Sequence, residues 1–297
     1  MTKQEIGITA TANLTNIQKT EVNELMEKIH QHDGTCKDPY LSNQYSYFPE
    51  MPIFISAYES GALVGFVMIY ADEKPNEEVD LYVEVLPEKR RQGIAKKLVV
   101  RVKQILAQYN YSNIFYIAEQ NFLKKNDSFL SANNLEVDNE SLDYYMETTN
   151  PTVLSKNDSL SELLMVVKMA EQDIAKVVNI YSEAFGESQE ASQMYVTQGY
   201  KDDKTLCFLL KKQDKIIGYC CVDCSKTAYF YGLFIAKGYR GQGYGTYFIK
   251  KMMELLQGRG VKVFALDVEL NNPAAVQTYQ NAGFKIKSEV VYLKEKK

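Results

Sequence analysis

A glycine-rich turn in the second half of the chain has the residue types needed to bind a phosphate group. The run from Arg240 to Gly245, RGQGYG, follows an apolar segment and precedes one with helical periodicity. Glycines let successive backbone N–H groups point into one concavity, and the start of a helix adds partial positive charge. The sequence therefore predicts a turn that holds a pyrophosphate at a helix N-terminus.

Two common phosphate-binding motifs do not match this turn. A Walker A loop needs a lysine after its last glycine, but Thr246 follows Gly245. A dinucleotide fingerprint needs G-x-G-x-x-G, whereas Gly241, Gly243 and Gly245 give G-x-G-x-G. The arginine that opens the turn and the antiparallel-looking strands before it do not suit a Rossmann half either. A purely structural glycine turn remains the alternative.

The first half of the chain contains a second copy of this turn. LPEKRRQGIA and AKGYRGQGYG align with Arg90 on Arg240 and Gly93 on Gly243, an offset of 150 residues. Both lie where a predicted strand meets a predicted helix, and the order of elements around them repeats. The sequence therefore indicates an internal duplication.

The turn and the segments that follow it resemble the GNAT N-acetyltransferases. R-x-x-G-x-G resembles their acetyl-CoA loop, and LDVELNNPAAVQTYQNAGF resembles their next strand and helix. Asn272 matches the family's cofactor-contacting Asn-Pro, Tyr279 follows seven residues later, and Gly283-Phe284 matches the closing segment. The resemblance covers residues 162 to 297 and identifies a superfamily rather than a substrate.

The resemblance implies an acetyl-CoA site in this half, with acetyl-CoA as the acyl donor and no metal. The backbone of the strand before the turn would pair with the pantetheine arm, and the turn would hold the pyrophosphate. The expected cofactor-binding residues are Leu233, Phe234, Ile235, Arg240, Gly241, Gln242, Gly243, Tyr244, Gly245, Thr246 and Asn272.

The resemblance also implies catalytic residues. Tyr279 would donate a proton to the leaving CoA thiolate, although a tyrosine in that position can also be a packed core residue. The acceptor amine must be neutral to attack, so a base must take its proton. Asp267 and Glu269 alternate onto one face of a predicted strand and are the candidates. Many relatives carry a glutamate on the strand entering the loop, but YFYGLFI has none.

The first half keeps the turn but departs from the family pattern after it. The offset places Phe129 opposite Tyr279 and Phe122 opposite Asn272. Phenylalanine cannot donate a proton, although the adjacent Asn121 could partly replace Asn272. We therefore expect the N-terminal domain to be degenerate: at most a CoA-binding domain, or a structural one.

Composition and charge exclude several classes of protein. The chain has 297 residues, 45% of them hydrophobic and 24% charged, as in ordinary globular proteins. A net charge of -4 gives no cationic field for nucleic-acid phosphates, so we expect no nucleic-acid partner. An apolar N-terminal region and a stretch of about 18 apolar residues are both missing, which predicts a cytoplasmic protein without a membrane partner.

Five cysteines and two histidines also bear on metal and redox chemistry. The odd number of cysteines and the missing export signal favour reduced thiols over disulfides. Cys221 and Cys224 form C-x-x-C, but within an alternating run that predicts a strand. His30, His32 and Cys36 could form a metal site, although a solvated helix end fits the spacing better.

The resemblance and the internal repeat imply α/β (α+β) architecture with two tandem GNAT folds, each a mixed, mainly antiparallel sheet flanked by helices, and the periodicity places their elements. The expected domains are residues 1–150, a linker at 151–161, and residues 162–297. In the first domain, strands are expected near 5–10, 53–58, 63–70, 79–86 and 113–118, with helices from 15 and over 93–108. In the second, strands are expected near 163–169, 206–211, 216–223, 229–235 and 262–268, with helices over 173–185, 191–198 and 243–257 and from 273.

The leading functional hypothesis is an acetyl-CoA-dependent N-acetyltransferase with an active C-terminal domain. Its acceptor would be an amine, either a small molecule or a peptide N-terminus. The alternative is a non-catalytic acyl-CoA-binding or regulatory protein, and charge and length disfavour a tRNA-dependent aminoacyl transferase. The sequence leaves the assembly open, with a homodimer among the options.

Overall fold

The computed structural model describes residues 5–154 and 159–296 of the chain. The first half, in chain order, consists of β1 (Ile6–Thr11), α1 (Asn16–Asp33), β2 (Phe54–Glu59), β3 (Ala62–Tyr70), β4 (Glu78–Val85), α2 (Ile94–Gln108), β5 (Asn113–Glu119), α3 (Gln120–Lys125), α4 (Phe129–Ala132) and β6 (Leu135–Thr148). The second half consists of β7 (Leu164–Lys168), α5 (Ile174–Phe185), α6 (Gln189–Lys201), β8 (Thr205–Lys212), β9 (Lys215–Asp223), β10 (Ala228–Ile235), α7 (Tyr244–Gln257), β11 (Phe264–Glu269), α8 (Pro273–Asn281) and β12 (Lys285–Glu295).

These elements form two compact units whose limits differ from the expected domains. One unit comprises Met1–Leu142 together with Ser288–Lys297, and the other comprises Asp143–Lys287. The end of β6 and the expected linker thus belong to the second unit, while most of β12 belongs to the first. Residues 155–158 of the expected linker lie outside the described residues.

In the first unit, β1 to β4 form an antiparallel series in which each strand pairs with the next. β5 pairs with β4 in parallel, from Glu78 opposite Asn113 to Tyr82 opposite Ile117. Both strands continue past that point, to Val85 and Glu119. The other edge of β5 pairs in antiparallel fashion with Val290–Leu293 of β12. Because β4 and β5 are no longer paired beyond that point, a cleft lies between their ends.

The helices of the first unit follow from local sequence signals. Thr15 caps α1, and Gln18 completes the capping box by accepting from the Thr15 N–H. α1 ends at Gly34, whose φ of 71° suits glycine. The buried side chains of α2 recur every three to four residues, so that one helix face covers the sheet.

The second unit repeats this plan. β7 to β10 are antiparallel neighbours, and β11 pairs with β10 in parallel over Ala228–Phe230. The end of β6 pairs with the other edge of β11, from Asp143 opposite Glu269 to Thr148 opposite Phe264. The pairing of β10 with β9 shifts register between Tyr231 and Phe234, at Gly232 with φ of 60°. The expected fold class is confirmed, because each half is a mixed, mainly antiparallel series of strands flanked by helices.

The expectation of reduced thiols is wrong for two cysteines. Cys207 on β8 and Cys221 on β9 lie directly opposite each other and form a disulfide. Sequence spacing could not reveal this pair, because it depends on the register of the β8–β9 hairpin. Cys36, Cys220 and Cys224 do not belong to this disulfide.

Within residues 5–154 and 159–296, every helix is too short or too polar to span a bilayer. The same residues contain no group of three or more His, Cys, Asp or Glu side chains placed to hold a metal ion. His30, which was expected at a solvated helix end, instead bridges Thr35 (Nδ1 to Oγ1, 2.8 Å) and Asp38 (Nε2 to Oδ1, 3.1 Å).

Candidate active site

The two glycine-rich turns have the same backbone shape. Gly241 and Gly243 adopt left-handed φ angles of 74° and 77°. At the same offset in the first unit, Arg91 and Gly93 have φ of 60° and 83°. Each turn follows a short 3-10 segment and ends at the N-terminus of a helix, α2 or α7. Both turns can therefore present backbone N–H groups to an anion.

The opening arginine of each turn makes the same main-chain contact. Arg90 Nε donates to the Val85 carbonyl at 3.0 Å, and Arg240 Nε donates to the Ile235 carbonyl at 2.8 Å. Each arginine thus ties its turn back to the end of the preceding strand. Arg90 also forms a salt bridge with Asp33, which is 2% exposed.

The cleft of the first unit opens into a cavity of about 760 Å³. Val83, Glu84 and Val85 of β4 line it, and so do Ile117 to Glu119 of β5. The turn and the first residues of α2 line it as well, including Arg91, Gly93 and Ala95. The turn and the separated ends of two parallel strands therefore share one space.

Glu84 is the acid that enters this cavity from β4. Burial raises the pKa of Glu84 to about 7, although the nearby charges of His30 and Arg90 lower it and those of Asp33 and Glu119 raise it. A carboxyl group with a pKa near 7 can accept a proton at neutral pH. The sequence pattern did not predict Glu84 as a proton acceptor, although this glutamate lies on the strand entering the turn.

The first unit has aromatic rings where the second has its predicted polar residues. Phe122 and Phe129 contact edge to face at 4.9 Å, and the Arg90 guanidinium lies 5.6 Å from the Phe122 ring centre. Asn121, expected as a partial substitute for Asn272, donates to the Gly34 carbonyl at 3.0 Å. The described contacts thus give Asn121 a structural partner within the protein.

In the second unit, the predicted cofactor residues gather around the turn. Gly241, Gln242 and Gly243 are exposed, whereas Tyr244 is buried and its hydroxyl accepts from Lys212 at 2.9 Å. On β10, Phe234 is buried in an aromatic cluster, and Leu233 and Ile235 are half-buried. Their side chains therefore serve the core as well as the strand edge.

α8 packs closely against the start of α7. A β-carbon placed on Gly245 would lie 3.2 Å from Thr278 Cγ2, and Thr246 Oγ1 lies 3.5 Å from the Thr278 carbonyl. Asn272 caps α8 by accepting from the Ala275 N–H at 3.1 Å. The predicted cofactor contact Asn272 therefore has a local structural partner.

Tyr279 lies in the core of the second unit and is 8% exposed. Burial, and then the neighbouring Cys220, raise the pKa of Tyr279 above its usual value. Its ring contacts Phe284 at 6.2 Å. A phenol in this setting holds its proton tightly, which weakens it as an acid.

The two predicted bases, Asp267 and Glu269, differ in their exposure to solvent. Asp267 is half-buried, and its Oδ2 accepts from the Tyr229 hydroxyl at 2.6 Å, whereas Glu269 is exposed. Tyr279 is among the groups that act electrostatically on Tyr229. Burial raises the pKa of Tyr229 above its usual value. The sequence analysis did not identify Tyr229.

The linker packs into the same unit. Leu154 and Leu160 are half-buried against its core. Leu160 lies beside the turn, since a β-carbon on Gly243 would be 4.0 Å from its Cδ1. Part of the segment before β7 thus lies next to the predicted pyrophosphate position.

In both halves a parallel strand pair thus parts beside a turn that can present backbone N–H groups to an anion. The chain belongs to the acetyltransferase (GNAT) family, whose model matches it twice, at residues 20–126 and 174–284. It is accordingly a GNAT-type N-acetyltransferase with tandem domains.

Individual relatives are distant. The chain is 27% identical to the mycothiol acetyltransferase of Corynebacterium glutamicum strain R over 223 residues, covering 71% of this chain and 73% of that protein. An uncharacterized N-acetyltransferase of Methanocaldococcus jannaschii is 22% identical over 147 residues, covering 44% of this chain and 65% of that protein. The match thus spans just under two thirds of that relative.

Solved structures share the fold over nearly the whole chain. A GCN5-related N-acetyltransferase from Sphaerobacter thermophilus has a TM-score of 0.72 and 15% identity, covering 98% of this chain and 95% of that one. A tandem GNAT protein from the clavulanic acid biosynthesis pathway has a TM-score of 0.67 and 13% identity, covering 98% of both chains. At these identities the likeness concerns the fold alone.

Proposed function

We propose that this chain transfers an acetyl group from acetyl-CoA to the nitrogen of an amine, either a small molecule or a peptide N-terminus. Family membership and the two phosphate-binding turns support an acyl-CoA donor. The observation that carries the proposal is the 760 Å³ cavity of the first unit, lined by both the turn and Glu84. We place the donor in this cavity.

The charges around the two turns favour the first unit. Arg91 and Lys96 are exposed on its turn and first helical residues, where the second unit has Gly241 and Thr246. A diphosphate at the start of α2 would gain both cationic side chains in addition to the backbone N–H groups. Ala95, unlike its counterpart Gly245, is exposed and lines the cavity.

The residues of the cavity suit direct transfer. Acetyl-CoA supplies an activated thioester when bound. The lone pair of the acceptor nitrogen forms the new C–N bond, the C–S bond breaks, and Glu84 takes the proton that leaves the nitrogen. A thiol with a pKa of about 8.5 can leave as the thiolate. Since Phe129 cannot donate a proton, the thiolate is protonated from water.

The sequence-based prediction places catalysis in the second unit, on Tyr279 with Asp267 or Glu269. The burial of Tyr279 and the closeness of Leu160 to Gly243 count against that placement, because a donor there needs space at both points. It stays a prediction, and one pair of variants separates it from the proposal made here.

Gln92 and Gln242 provide a matched pair for this test. Both are exposed, occupy the same position of their turns and lie 150 residues apart. Gln92→Glu and Gln242→Glu each add one negative charge beside the expected diphosphate. We expect Gln92→Glu to weaken acetyl-CoA binding about tenfold in calorimetry and Gln242→Glu to leave it unchanged, since like charges at close range repel. The reverse pattern would move the donor to the second unit.

Transfer is tested separately from binding. Released CoA is measured with spermidine, glucosamine and a short peptide with a free N-terminus as acceptors. We expect Glu84→Gln to abolish most of the transfer and Tyr279→Phe to retain it. Tight acetyl-CoA binding without transfer to any of these amines would instead favour the acyl-CoA-binding protein.

A further inference from the structure

The segment between α1 and β2 forms part of the cavity wall near Glu84. Thr35 and Lys37 of this segment line the cavity. Glu119 at the end of β5 lines it too, although this residue is only 7% exposed. A loop without regular secondary structure thus borders the space in which we place the reaction.

Glu119 binds the main chain of this segment directly. Its Oε1 accepts from the Cys36 N–H and the Lys37 N–H, both at 2.9 Å. Its Oε2 lies 3.0 Å from the Cys36 N and 3.5 Å from the Cys36 thiol, which donates to it. One carboxylate therefore fixes two consecutive peptide groups.

α3 adds two further ties to the same stretch of chain. Asn121 donates from Nδ2 to the Gly34 carbonyl at 3.0 Å, and Lys125 donates from Nζ to the His32 carbonyl at 3.2 Å. Together with Glu119, these side chains link residues 32–37 to the end of β5 and the helix after it.

A nearly buried carboxylate is costly unless hydrogen bonds replace its lost water. Glu119 also lies near Glu84, and the negative charges of the two carboxylates repel each other. Its counterpart at the same offset, Glu269, is exposed on β11. The burial of Glu119 therefore goes with its hydrogen bonds to the loop, because the equivalent position at the end of β11 is exposed.

We propose that Glu119 is a positioning residue that holds the segment Gly34–Lys37 as a fixed wall for the acceptor amine in the cavity that Glu84 also lines. The inference rests on the proposed function for the identity of the ligand, whereas the tie itself is a property of the protein alone. Without the tie, Thr35 and Lys37 would move away from the cavity and the acceptor would bind less tightly. The donor site at the turn would be unaffected.

The test compares Glu119→Gln and Glu119→Ala with Asp138→Asn. Asp138 is a matched control, because it is 8% exposed in the same unit and pairs with Lys294, outside the cavity lining. In Glu119→Ala we expect amide hydrogen exchange at Cys36 and Lys37 to rise at least tenfold, and alkylation of Cys36 by iodoacetamide to accelerate. Glu119→Gln keeps one acceptor oxygen and should show a smaller effect.

Kinetics supply the readout that a loss of stability alone would not give. With whichever of spermidine, glucosamine or the peptide the wild type acetylates, we expect Glu119→Ala to raise the acceptor KM about tenfold, the effect of losing hydrogen bonds to a charged group. The KM for acetyl-CoA should stay within about twofold.

Three results would overturn the inference: unchanged exchange at Cys36 and Lys37, an equal rise of both KM values, or the same changes in Asp138→Asn. A wild-type chain that fails to bind acetyl-CoA would overturn the proposed function instead. Faster exchange in Glu119→Ala would then still establish the tie, and its assignment to an amine acceptor would fall.

Discussion

Asp33 and Arg90 form a two-pronged ion pair that joins the end of α1 to the turn before α2 in the first unit. Arg90 donates from Nη1 to Oδ1 at 2.9 Å and from Nη2 to Oδ2 at 2.5 Å. Burial alone would raise the pKa of Asp33, but the hydrogen bonds from Arg90 and His32 outweigh it and hold the pKa below its usual value. The same arginine also contacts the end of β4, so that the pair sets the position of the turn.

Asp33→Asn should destabilise the protein by about 3 kcal/mol, because the half-buried Arg90 loses its charged hydrogen-bond partner. Urea unfolding at pH 7 measures the loss. The pKa of Asp33 is lowered in the folded state, so its contribution is present at neutral pH and disappears as pH falls below the ordinary value of 3.8. Glu183→Gln, at the exposed counterpart position, is the control and should change stability by less than about 0.5 kcal/mol. Equal losses in the two variants would contradict this account.

The rate of acetyl transfer should rise with pH through an apparent pKa of about 7, as Glu84 becomes ionised. The measurement is kcat/KM from pH 5.5 to 9 for an acetylated amine. Glu84→Gln should remove this limb and lower kcat/KM about a hundredfold at pH 8. Glu78→Gln, on an exposed position of the same strand, should keep the wild-type profile. A limb that persists in Glu84→Gln would assign the base elsewhere.

Glu84 should also make the protein less stable at neutral and alkaline pH than at acidic pH. Burial raises the pKa of Glu84 in the folded state from 4.5 to about 7, so the stability gained from its protonated form is complete below 4.5 and lost as pH rises through 7. Each pKa unit corresponds to about 1.4 kcal/mol. Glu84→Gln should therefore gain about 3 kcal/mol over the wild type between pH 4 and pH 8, read from denaturant unfolding. A pH-independent difference would show that the carboxyl group is not buried as described.

Arg91→Gly separates backbone strain from charge in the turn. Arg91 has a left-handed φ of 60°, where the second unit has Gly241. The substitution should raise stability by about 1 kcal/mol, because glycine adopts this conformation without a β-carbon clash. It should also weaken acetyl-CoA binding several-fold, since one cation near the diphosphate is lost. Unfolding and calorimetry report the two effects, and a variant with unchanged affinity would exclude Arg91 from the donor site.

Reduction of the Cys207–Cys221 disulfide should lower the stability of the second unit by at most about 3 kcal/mol, the chain-entropy value for a loop of this size. Thermal unfolding with and without a reductant measures the change. Because β8 and β9 already pair as a hairpin, the loss should lie below that limit. Cys224→Ser, at a free half-buried thiol, should leave the effect of the reductant unchanged.

Much of the fold could be predicted because it follows from local patterns. Apolar residues at helical or alternating spacing marked α2, α7 and the strands before them, and the repeat at 150 residues revealed the duplication. The limits of the units could not be predicted in this way. They depend on which strand joins the free edge of β5, and β12 is far from β5 in sequence.

The site was predicted less completely. The turn in the second half stood out because glycine occupies both left-handed positions, whereas Arg91 conceals the same backbone shape in the first. Glu84 lies within Val83-Glu84-Val85, on the strand that carries a glutamate in many relatives. Phe122 and Phe129, however, indicated a degenerate domain in that half. The roles of Asp33 and Glu119 depend on contacts between distant segments and leave no local pattern.

The pairing of Val290–Leu293 with β5 has a consequence for biosynthesis. A ribosome makes β5 long before it makes these residues, so the nascent first half waits with an open strand edge until residues 290–293 have been made. Exposed edges invite pairing with other chains. A fragment that ends between the two turns would therefore lack the β12 residues that pair with β5. Such a fragment should need a peptide containing Val290–Leu293 supplied in trans.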